Sequence, residues 1–206
     1  MPQTTAYSLT FHTTSPDLGL ALLRPDGSVC HQVSPLGRDL SSQLHMHLAD
    51  FIGDLAWTSL GWLAVCIGPG GFTSTRIGAV TARTLAQQLE IPLFGVSSLA
   101  AMAHASGQEG PVAVTLPAKR GAVYGAIYTD RGRQAKLPPN ILPADAWQAQ
   151  LEDWAGPLQQ VEISTGQGLG ASVVNVLQLA QYQYQIGERP HWSDVVPFYG
   201  QSPVTS

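Results

Sequence analysis

Charged side chains are scarce in this sequence. Only 12% of its 206 residues are Asp, Glu, Lys or Arg, about half the usual share of a globular protein, whereas the 44% hydrophobic content is ordinary. The net charge is −4, so the chain lacks the overall basic character of nucleic-acid-binding proteins. A surface with so few charges suits a protein that covers part of it with a partner.

Long apolar runs and closely spaced cysteines are also missing. No run reaches the ~18 residues of a membrane-spanning helix, and residues 1–6 lack the basic start and apolar stretch of a signal peptide. The two cysteines, Cys30 and Cys66, are distant in sequence, which favours reduced structural thiols over a disulfide. These features predict a cytoplasmic protein with no membrane contact.

What the sequence does contain is two successive α/β patterns. The first has strands predicted at residues 6–11, 18–23, 28–33, 62–67 and 91–98. Its helices are predicted from Asp39 to about Trp57, from Phe72 to Leu89 and at 99–105. The second has strands at 112–116, 122–129 and 161–164, a loop at 137–140 and helices at 143–154 and 169–182. We therefore predict an N-terminal lobe over residues 1–105, a smaller C-terminal lobe over 111–200 and a tail over 201–206.

The most informative stretch is Gly-Pro-Gly-Gly-Phe-Thr-Ser-Thr-Arg, at residues 68–76. Its glycines can take positive φ or let another backbone approach closely, and Thr73 and Ser74 are placed to cap the following helix. A strand, a glycine turn and a helix N-terminus together present unpaired N–H donors to an anion. The candidate anion- or nucleotide-binding residues are Gly68, Gly70, Gly71, Thr73, Ser74 and Arg76.

This loop departs from the known phosphate-binding motifs. A Walker loop ends in Gly-Lys-Ser/Thr and a dinucleotide fingerprint has a third glycine, but Thr73 stands where either motif needs glycine. An ordinary tight turn between a strand and a helix explains the pattern equally well, so both interpretations stay open.

The helix after the loop is apolar around most of its circumference. Gly78, Ala82 and Ala86 form a stripe of small residues that lets another backbone come close, and bulkier residues lie beside it. Such a helix is buried on more than one side. One side can lie on its own sheet, and the other needs a helix from this chain or from a partner. A core helix of an ordinary α/β domain would show the same pattern.

No metal site and no catalytic residues are predicted. His45 and His47 lie two residues apart on the first predicted helix, so they point to nearly opposite sides and cannot share a metal. We find no serine–histidine–aspartate or metal-ligand spacing that would support a peptidase.

The loop and its flanks resemble a known family. Residues 68–86, followed by Ile91-Pro-Leu-Phe-Gly-Val-Ser-Ser-Leu at 91–99, are similar to the signature of the TsaB family, also called YeaZ. That signature is GPGSFTGLRIG, an alanine-rich helix and then IPLxGVSSL. Weaker similarities lie at residues 11–22, 116–124 and 197–199. Tyr124 and Tyr199 match family positions there, but a role in packing explains these two tyrosines equally well.

The resemblance implies an α/β, actin-like (RNase H-type, ASKHA) fold with two lobes and mixed sheets flanked by helices. It also implies a role in making N6-threonylcarbamoyladenosine at position 37 of tRNA. In that pathway TsaD transfers the threonylcarbamoyl group, TsaB is its non-catalytic scaffold and activator, and the ATPase TsaE completes the set.

The resemblance further implies a pairing surface. The family pairs with itself or with TsaD through the first two helices of its N-terminal lobe. The partner- or dimer-interface residues are then Leu44, His45, Leu48, Thr73, Arg76, Ile77, Val80 and Ala82. Arg76 could reach an acidic group or a nucleotide phosphate on the partner, or be a solvated arginine. The chain itself is expected to need no cofactor, while ATP or ADP is a candidate ligand at the interface with TsaD.

Three carboxylate positions of the family pattern are changed in this chain, and Leu40-Ser41 stands where the family's first helix commonly has histidine-serine. His12 and Pro117 stand where the family has aspartate, and Ala122 stands where it has glutamate. Carboxylates that could ligate magnesium or act as a general base are thus absent from the expected places. His12 is interpreted as structural, with a catalytic base as the alternative.

Two further interpretations concern nucleotides and tRNA. The alternative function is a stand-alone actin-like ATPase that uses the Gly68–Arg76 loop, for which Asp17 and Asp26 are the nearby acidic candidates. Contact with tRNA is expected to be indirect or weak. Its basic residues would be Lys119, Arg120, Arg131, Arg133 and Lys136.

Overall fold

The computed structural model describes residues 6–164 and 166–198, which form nine strands and five α-helices in two mixed sheets. The first sheet contains β1 (Tyr7–His12), β2 (Leu18–Leu23), β3 (Val29–Ser34), β4 (Leu60–Gly68) and β5 (Leu93–Ser97). The second contains β6 (Val112–Pro117), β7 (Ala122–Thr129), β8 (Gln134–Pro143) and β9 (Gln159–Glu162). The helices are α1 (Leu40–Ile52), α2 (Phe72–Leu89), α3 (Ser98–Ala105), α4 (Ala144–Glu152) and α5 (Val173–Gln185).

The two sheets repeat one topology. In the first, the order is β3-β2-β1-β4-β5, with β1, β2 and β3 antiparallel and β4 and β5 parallel to β1. In the second, the order is β8-β7-β6-β9, with β6, β7 and β8 antiparallel and β9 parallel to β6. This repeat confirms the predicted α/β fold of two related lobes with mixed sheets, the RNase H-type arrangement.

Strands β1, β2 and β4 of the first sheet are buried on both faces, to which alternate residues of a strand point. Leu9, Phe11, Leu63 and Val65 pack with the apolar residues of α1 and α2. On the other face, a cluster around Trp62 joins α3 and α5 to apolar residues of the second sheet. The two lobes therefore share one continuous core.

Helix α5 belongs spatially to the first sheet. The predicted division assigns it to a C-terminal lobe over residues 111–200, but α5 packs on β1, β2, β4 and β5. The rings of Tyr184 in α5 and Trp62 in β4 stack with their centroids 5.7 Å apart. The lobe boundary predicted from the sequence is therefore wrong for this helix, because the apolar side of α5 completes the core of the first lobe. The predicted tail, 201–206, lies outside the described residues.

Two predicted elements differ from the structure. Residues 137–140 are not a loop but part of β8. Prolines are tolerated there because β8 is an edge strand, whose outer N–H groups have no ladder partner to lose. Helix α1 ends at Ile52 instead of Trp57, since Gly53 takes a positive φ of 56° and its N–H bonds to Ala49 O. In the described part of the chain, no helix is long and apolar enough to cross a membrane.

Candidate partner-binding surface and interlobe cleft

Helix α2 begins directly after the glycine loop. Gly71 is its N-cap residue and Phe72 its first helical residue, and no side chain caps it. The prediction that Thr73 and Ser74 cap the helix is therefore wrong. Both lie inside the first turn, where a hydroxyl can return to a preceding carbonyl. Ser74 Oγ and Thr75 Oγ1 donate to Gly71 O, at 3.0 and 2.7 Å.

Close backbone contacts hold the loop in place. Gly71 N donates to Thr14 O at 2.7 Å, and a Cβ at Gly70 would collide with the backbone of Thr14. The predicted close approach at Gly70 is thus confirmed, whereas the positive φ of the loop (97°) belongs to Gly68. The buried Ser98 Oγ donates to Pro69 O at 2.6 Å. The start of α2 is therefore tied to the end of β1 and to α3.

A cleft of about 450 Å³ separates the two lobes beside this loop. It is lined by Thr14, Ser15, Pro16, Gly37, Arg38, Gly70, Gly71, Ser74, Leu116, Pro117, Tyr124, Ile163, Ser164, Gly166, Gln167 and Leu169. Arg38 is the one charged side chain among these lining residues, which include no carboxylate. Tyr124 meets the ring of Phe198 edge-on, with centroids 6.2 Å apart, and Tyr199 lies outside the described residues.

The structure does not bring the six predicted anion-binding residues together. Gly70, Gly71 and Ser74 line the interlobe cleft, but Gly68 is buried behind it. Thr73 is exposed at the start of α2, and Arg76 lines a different groove. Ser74 and Arg76 are two residues apart, which is just over half a helical turn, so their side chains point to different sides of α2. The predicted six-residue anion cradle is therefore wrong as one site.

His12 is sealed in the core at the end of β1. Its side chain has no exposed surface, and neither ring nitrogen has a hydrogen-bond partner among the described residues. Since Leu9 and Phe11 face α1 and α2, strand alternation turns His12 toward α5. Burial lowers the pKa of His12 from 6.5 to about 4. The imidazole is therefore neutral at physiological pH and out of reach of a ligand in the cleft.

A second depression, here called the helix groove, lies between α1 and α2. Its volume is about 600 Å³, and its lining is Ser41, His45, Leu48, Trp57, Arg76, Ile77, Val80, Thr81, Thr84 and Leu85. Five of the predicted interface residues line this groove. They are His45, Leu48, Arg76, Ile77 and Val80.

Two of the predicted interface residues have no solvent-exposed surface. Leu44 and Ala82 are fully buried in the core between the first sheet and its helices, so they are wrong as contact residues. The small-residue stripe of α2 faces its own sheet, where Gly78 packs against Thr13 of the β1 end. The close approach that the stripe permits is thus made within this chain.

The groove is bordered by exposed apolar side chains. Val80 in the lining is 61% exposed, and Phe72, whose ring centre lies 5.3 Å from the guanidinium of Arg76, is 62% exposed. Met46 of α1 is 55% exposed but does not line the groove. Sequence reasoning missed Met46, Trp57 and Phe72 as surface residues. The exposure of Met46 could have been predicted from the sequence, because it lies on the opposite side of α1 from the core-facing residues. Those residues are Leu40, Leu44, Leu48 and Ile52.

The basic residues that are clustered in sequence are divided in space. Lys119 and Arg120 precede β7, and Arg131 and Arg133 follow it, so the length of a strand separates the pairs. Arg131 bonds Glu109 at 2.6 Å and Arg133 bonds Asp130 at 3.4 Å. These contacts leave no single basic patch of the kind that binds a nucleic-acid backbone.

Neither a metal site nor a catalytic triad is assembled in the described residues. They contain no group of three or more His, Cys, Asp or Glu that could hold a metal ion. His45 lines the helix groove, whereas His47 Nδ1 lies 3.3 Å from Ser34 Oγ, so the two histidines diverge as predicted. His191, Ser193 and Asp194 are hydrogen-bonded on an exposed turn, but the serine stands between the other two. A triad needs the histidine in that position.

Comparison with known proteins gives consistent matches. The family model described as "TsaD: tRNA N6-adenosine threonylcarbamoyltransferase" matches residues 46–146. The "tRNA threonylcarbamoyladenosine biosynthesis protein TsaB" of Bacillus subtilis is 33% identical over 159 residues, which cover 73% of this chain and 68% of that protein. The Escherichia coli protein of the same name is 39% identical over 74 residues, covering 34% of this chain and 32% of that protein.

The fold is also found among solved structures. A Pseudomonas aeruginosa protein described as uncharacterized, "with similarity to peptidase YEAZ", superposes with a TM-score of 0.77 at 23% identity. The alignment covers 95% of this chain and 100% of that one. The structure described as YeaZ from the same organism gives a TM-score of 0.73 at 22% identity, covering 94% and 99%. At these identities the similarity is one of fold.

Proposed function

The chain belongs to the TsaB family, and we propose that it is a non-catalytic subunit for N6-threonylcarbamoyladenosine modification of tRNA. In this proposal it pairs with a TsaD-like transferase through the helix groove. The relatives carry tRNA threonylcarbamoyladenosine biosynthesis in their names, and the family model of the transferase itself matches residues 46–146. We expect the chain to act in the cytoplasm, where tRNA is modified.

The observation that carries this proposal is the apolar surface around the helix groove. Val80, which lines the groove, and Phe72, whose ring contacts the groove residue Arg76, are 61% and 62% exposed. Apolar side chains that protrude beside an apolar depression are typical of a protein–protein interface. Arg76 at the groove can orient the partner by pairing with a carboxylate.

The chemistry of the interlobe cleft supports a non-catalytic role. Actin-like phosphotransferases hold magnesium-bound phosphate with carboxylates, the oxygen ligands that magnesium prefers. Among the described residues that line this cleft, none is acidic. Asp26 lies in the exposed β2–β3 turn, and Asp17 packs against Gly168 and Gly170 outside the lining. The alternative, a stand-alone ATPase, thus has no acidic group where its chemistry needs one.

The proposal also covers the other candidate partners, which are an ATPase, a nucleotide, a second copy of the chain and tRNA. A TsaE-like ATPase would complete the complex, and ATP or ADP would bind where this chain meets the transferase. The groove also suits a homodimer, which would compete with the transferase for one surface. Contact with tRNA would be indirect or weak, because the basic side chains are few and divided.

The experiment is a light-scattering mass measurement of the protein alone and mixed with the TsaD-like protein of the same source. We expect a heteromeric complex that Val80→Asp weakens by at least about tenfold, because a carboxylate must be desolvated in an apolar interface. The matched control is Val196→Asp, which changes another exposed valine (56% exposed) that does not line the groove.

Circular dichroism and thermal unfolding establish that both variants fold. A complex that forms equally well with either variant would show that the groove is not the surface. A mixture that gives no complex at all would contradict the proposal itself.

A further inference from the structure

In the part of the chain that the structure describes, β3 is the edge of the first sheet that no charge, proline or covering strand protects. Proteins usually protect edge strands with charges, prolines or covering segments. Strand β8 carries Lys136 and three prolines, and β9 is only four residues long and ends in Glu162. At β5, the segment that follows α5 crosses the edge, with Leu93 N donating to Pro190 O and Val195 buried.

None of these protections is present in β3. Its sequence, Val-Cys-His-Gln-Val-Ser, contains no proline and no acidic or permanently basic residue. Within the described residues, β2 is the only strand that pairs with it. Val29 and Val33 are each 39% exposed. An exposed, uncharged edge strand of this kind is able to accept another strand.

The unpaired backbone groups of β3 can be assigned from its pairing with β2. Arg24 N donates to Ser28 O at 2.8 Å, so residues 24 and 28 form a hydrogen-bonded pair. Because such pairs alternate along an antiparallel ladder, Cys30 and Gln32 bond to β2. The N–H and C=O groups of Val29, His31 and Val33 then point away from the sheet.

The outward N–H and C=O groups of these three residues can pair with the same groups of a second copy of the chain. Suppose that a second β3 lies antiparallel to the first, with His31 opposite His31 of the second copy. Val29 then lies opposite Val33 of the second copy, and Val33 lies opposite its Val29. Every outward N–H and C=O finds a partner, giving about six hydrogen bonds. The same register places the half-exposed valines against each other on one face, a favourable cross-strand pair.

We propose that β3 is a self-association edge, at which two copies of this chain join their first sheets into one continuous sheet about a twofold axis at His31. A second copy is favoured over an unrelated strand because one register satisfies both the backbone groups and the valine pairs. The surface is distinct from the helix groove and does not depend on the proposed function. Since one strand pair buries less than the ~1,200 Å² of a stable interface, the dimer is weak.

The first test is sedimentation equilibrium with charged variants. Val33→Lys and Val29→Glu should each weaken dimerisation by about tenfold, and the double variant should return to within about threefold of the original, since each lysine then faces a glutamate. Val196→Lys, which changes an exposed valine outside both β3 and the helix groove, is the matched control and should leave this dimer unchanged. Thermal unfolding verifies that each variant is folded.

The second test uses the native Cys30. In the proposed register, Cys30 lies opposite Gln32 of the second copy in a non-hydrogen-bonded pair, whose Cα separation of about 4.5 Å suits a disulfide. Under mild oxidation, Gln32→Cys should give a covalent dimer, and the same change combined with Cys30→Ser should not.

Three results would overturn the proposal. They are a mass that stays monomeric up to several hundred micromolar, a double variant no better than the single ones, and a dimer that Val80→Asp abolishes while Val33→Lys does not. The last result would place self-association at the helix groove.

Discussion

Gly78 of α2 packs directly on Thr13 at the end of β1, so closely that a methyl group at position 78 would collide with Thr13 Oγ1. Thr13 itself is fully buried. The contact fixes how near α2 lies to the first sheet, and α2 in turn supplies one wall of the helix groove. The position of the proposed partner surface thus depends on residue 78 being a glycine, which has no side chain to push α2 away from β1.

We expect Gly78→Ala to lower the free energy of unfolding by about 1–3 kcal/mol, because the overpacking outweighs the better helix propensity of alanine. Urea unfolding followed by circular dichroism measures the change. Val80→Ala, in the same helix but exposed, is the control and should change the stability by less than about 0.5 kcal/mol. An equally stable Gly78→Ala variant would mean that α2 can shift away from β1.

The sequence analysis found the small-residue stripe but could not say what it faces. Gly78, Ala82 and Ala86 permit a close approach by any backbone, and the pattern is the same whether that backbone belongs to a partner or to the chain. The distinction depends on tertiary packing, here on Thr13. Phe72 was overlooked for a related reason, since single exposed apolar residues are common and indicate an interface only when they lie beside a groove.

A second prediction concerns pH. Burial lowers the pKa of folded His12 to about 4 from 6.5, so between these values the unfolded chain binds a proton that the folded chain does not. The stability that comes from keeping His12 neutral is fully present above pH 6.5. It is lost as the pH falls toward 4, which lowers the free energy of unfolding by on the order of 3 kcal/mol.

His12→Leu should remove that loss. The variant's free energy of unfolding, relative to the original protein, should therefore rise by on the order of 3 kcal/mol between pH 7 and pH 4. Urea unfolding at a series of pH values measures the difference. His45→Leu, which changes an exposed histidine, is the control. A difference that does not vary with pH would show that His12 is not buried as described.

A third prediction concerns the second lobe. Trp147 Nε1 donates to Thr115 Oγ1 at 2.7 Å, and the indole ring packs against Gly125. Thr115→Val keeps the shape but leaves the buried indole N–H unpaired, so we expect the free energy of unfolding to fall by about 1–3 kcal/mol. Thr115→Ser keeps the hydroxyl and should lose less. Equal losses in the two variants would assign the effect to packing instead of the hydrogen bond.

A fourth prediction tests the alternative function. The isolated protein should not turn over magnesium–ATP above a no-protein background, because the cleft lining contains no carboxylate to hold the metal. A coupled assay for ADP release measures this. Turnover that Arg38→Ala abolishes would show that the cleft is a nucleotide site, and the scaffold proposal would then be wrong.

The strands were predictable from local pattern, but several functional details were not. Alternating and apolar runs indicated most of the strands, and the glycine loop located the start of α2 at Phe72. The separation of Ser74 from Arg76 onto different sides of α2 depends on the helical phase and on which face meets the sheet. The strand at residues 137–140 was missed because prolines exclude a central strand but not an edge strand.

The placement of α5 has a consequence for how the chain is made. During synthesis, β1 to β5 emerge first, yet the face of that sheet around Trp62 and Phe94 is covered by Tyr184. Until α5 has left the ribosome, the nascent first lobe must keep an apolar face uncovered, a state prone to aggregation. The first lobe is therefore the first to be translated and among the last to be completed.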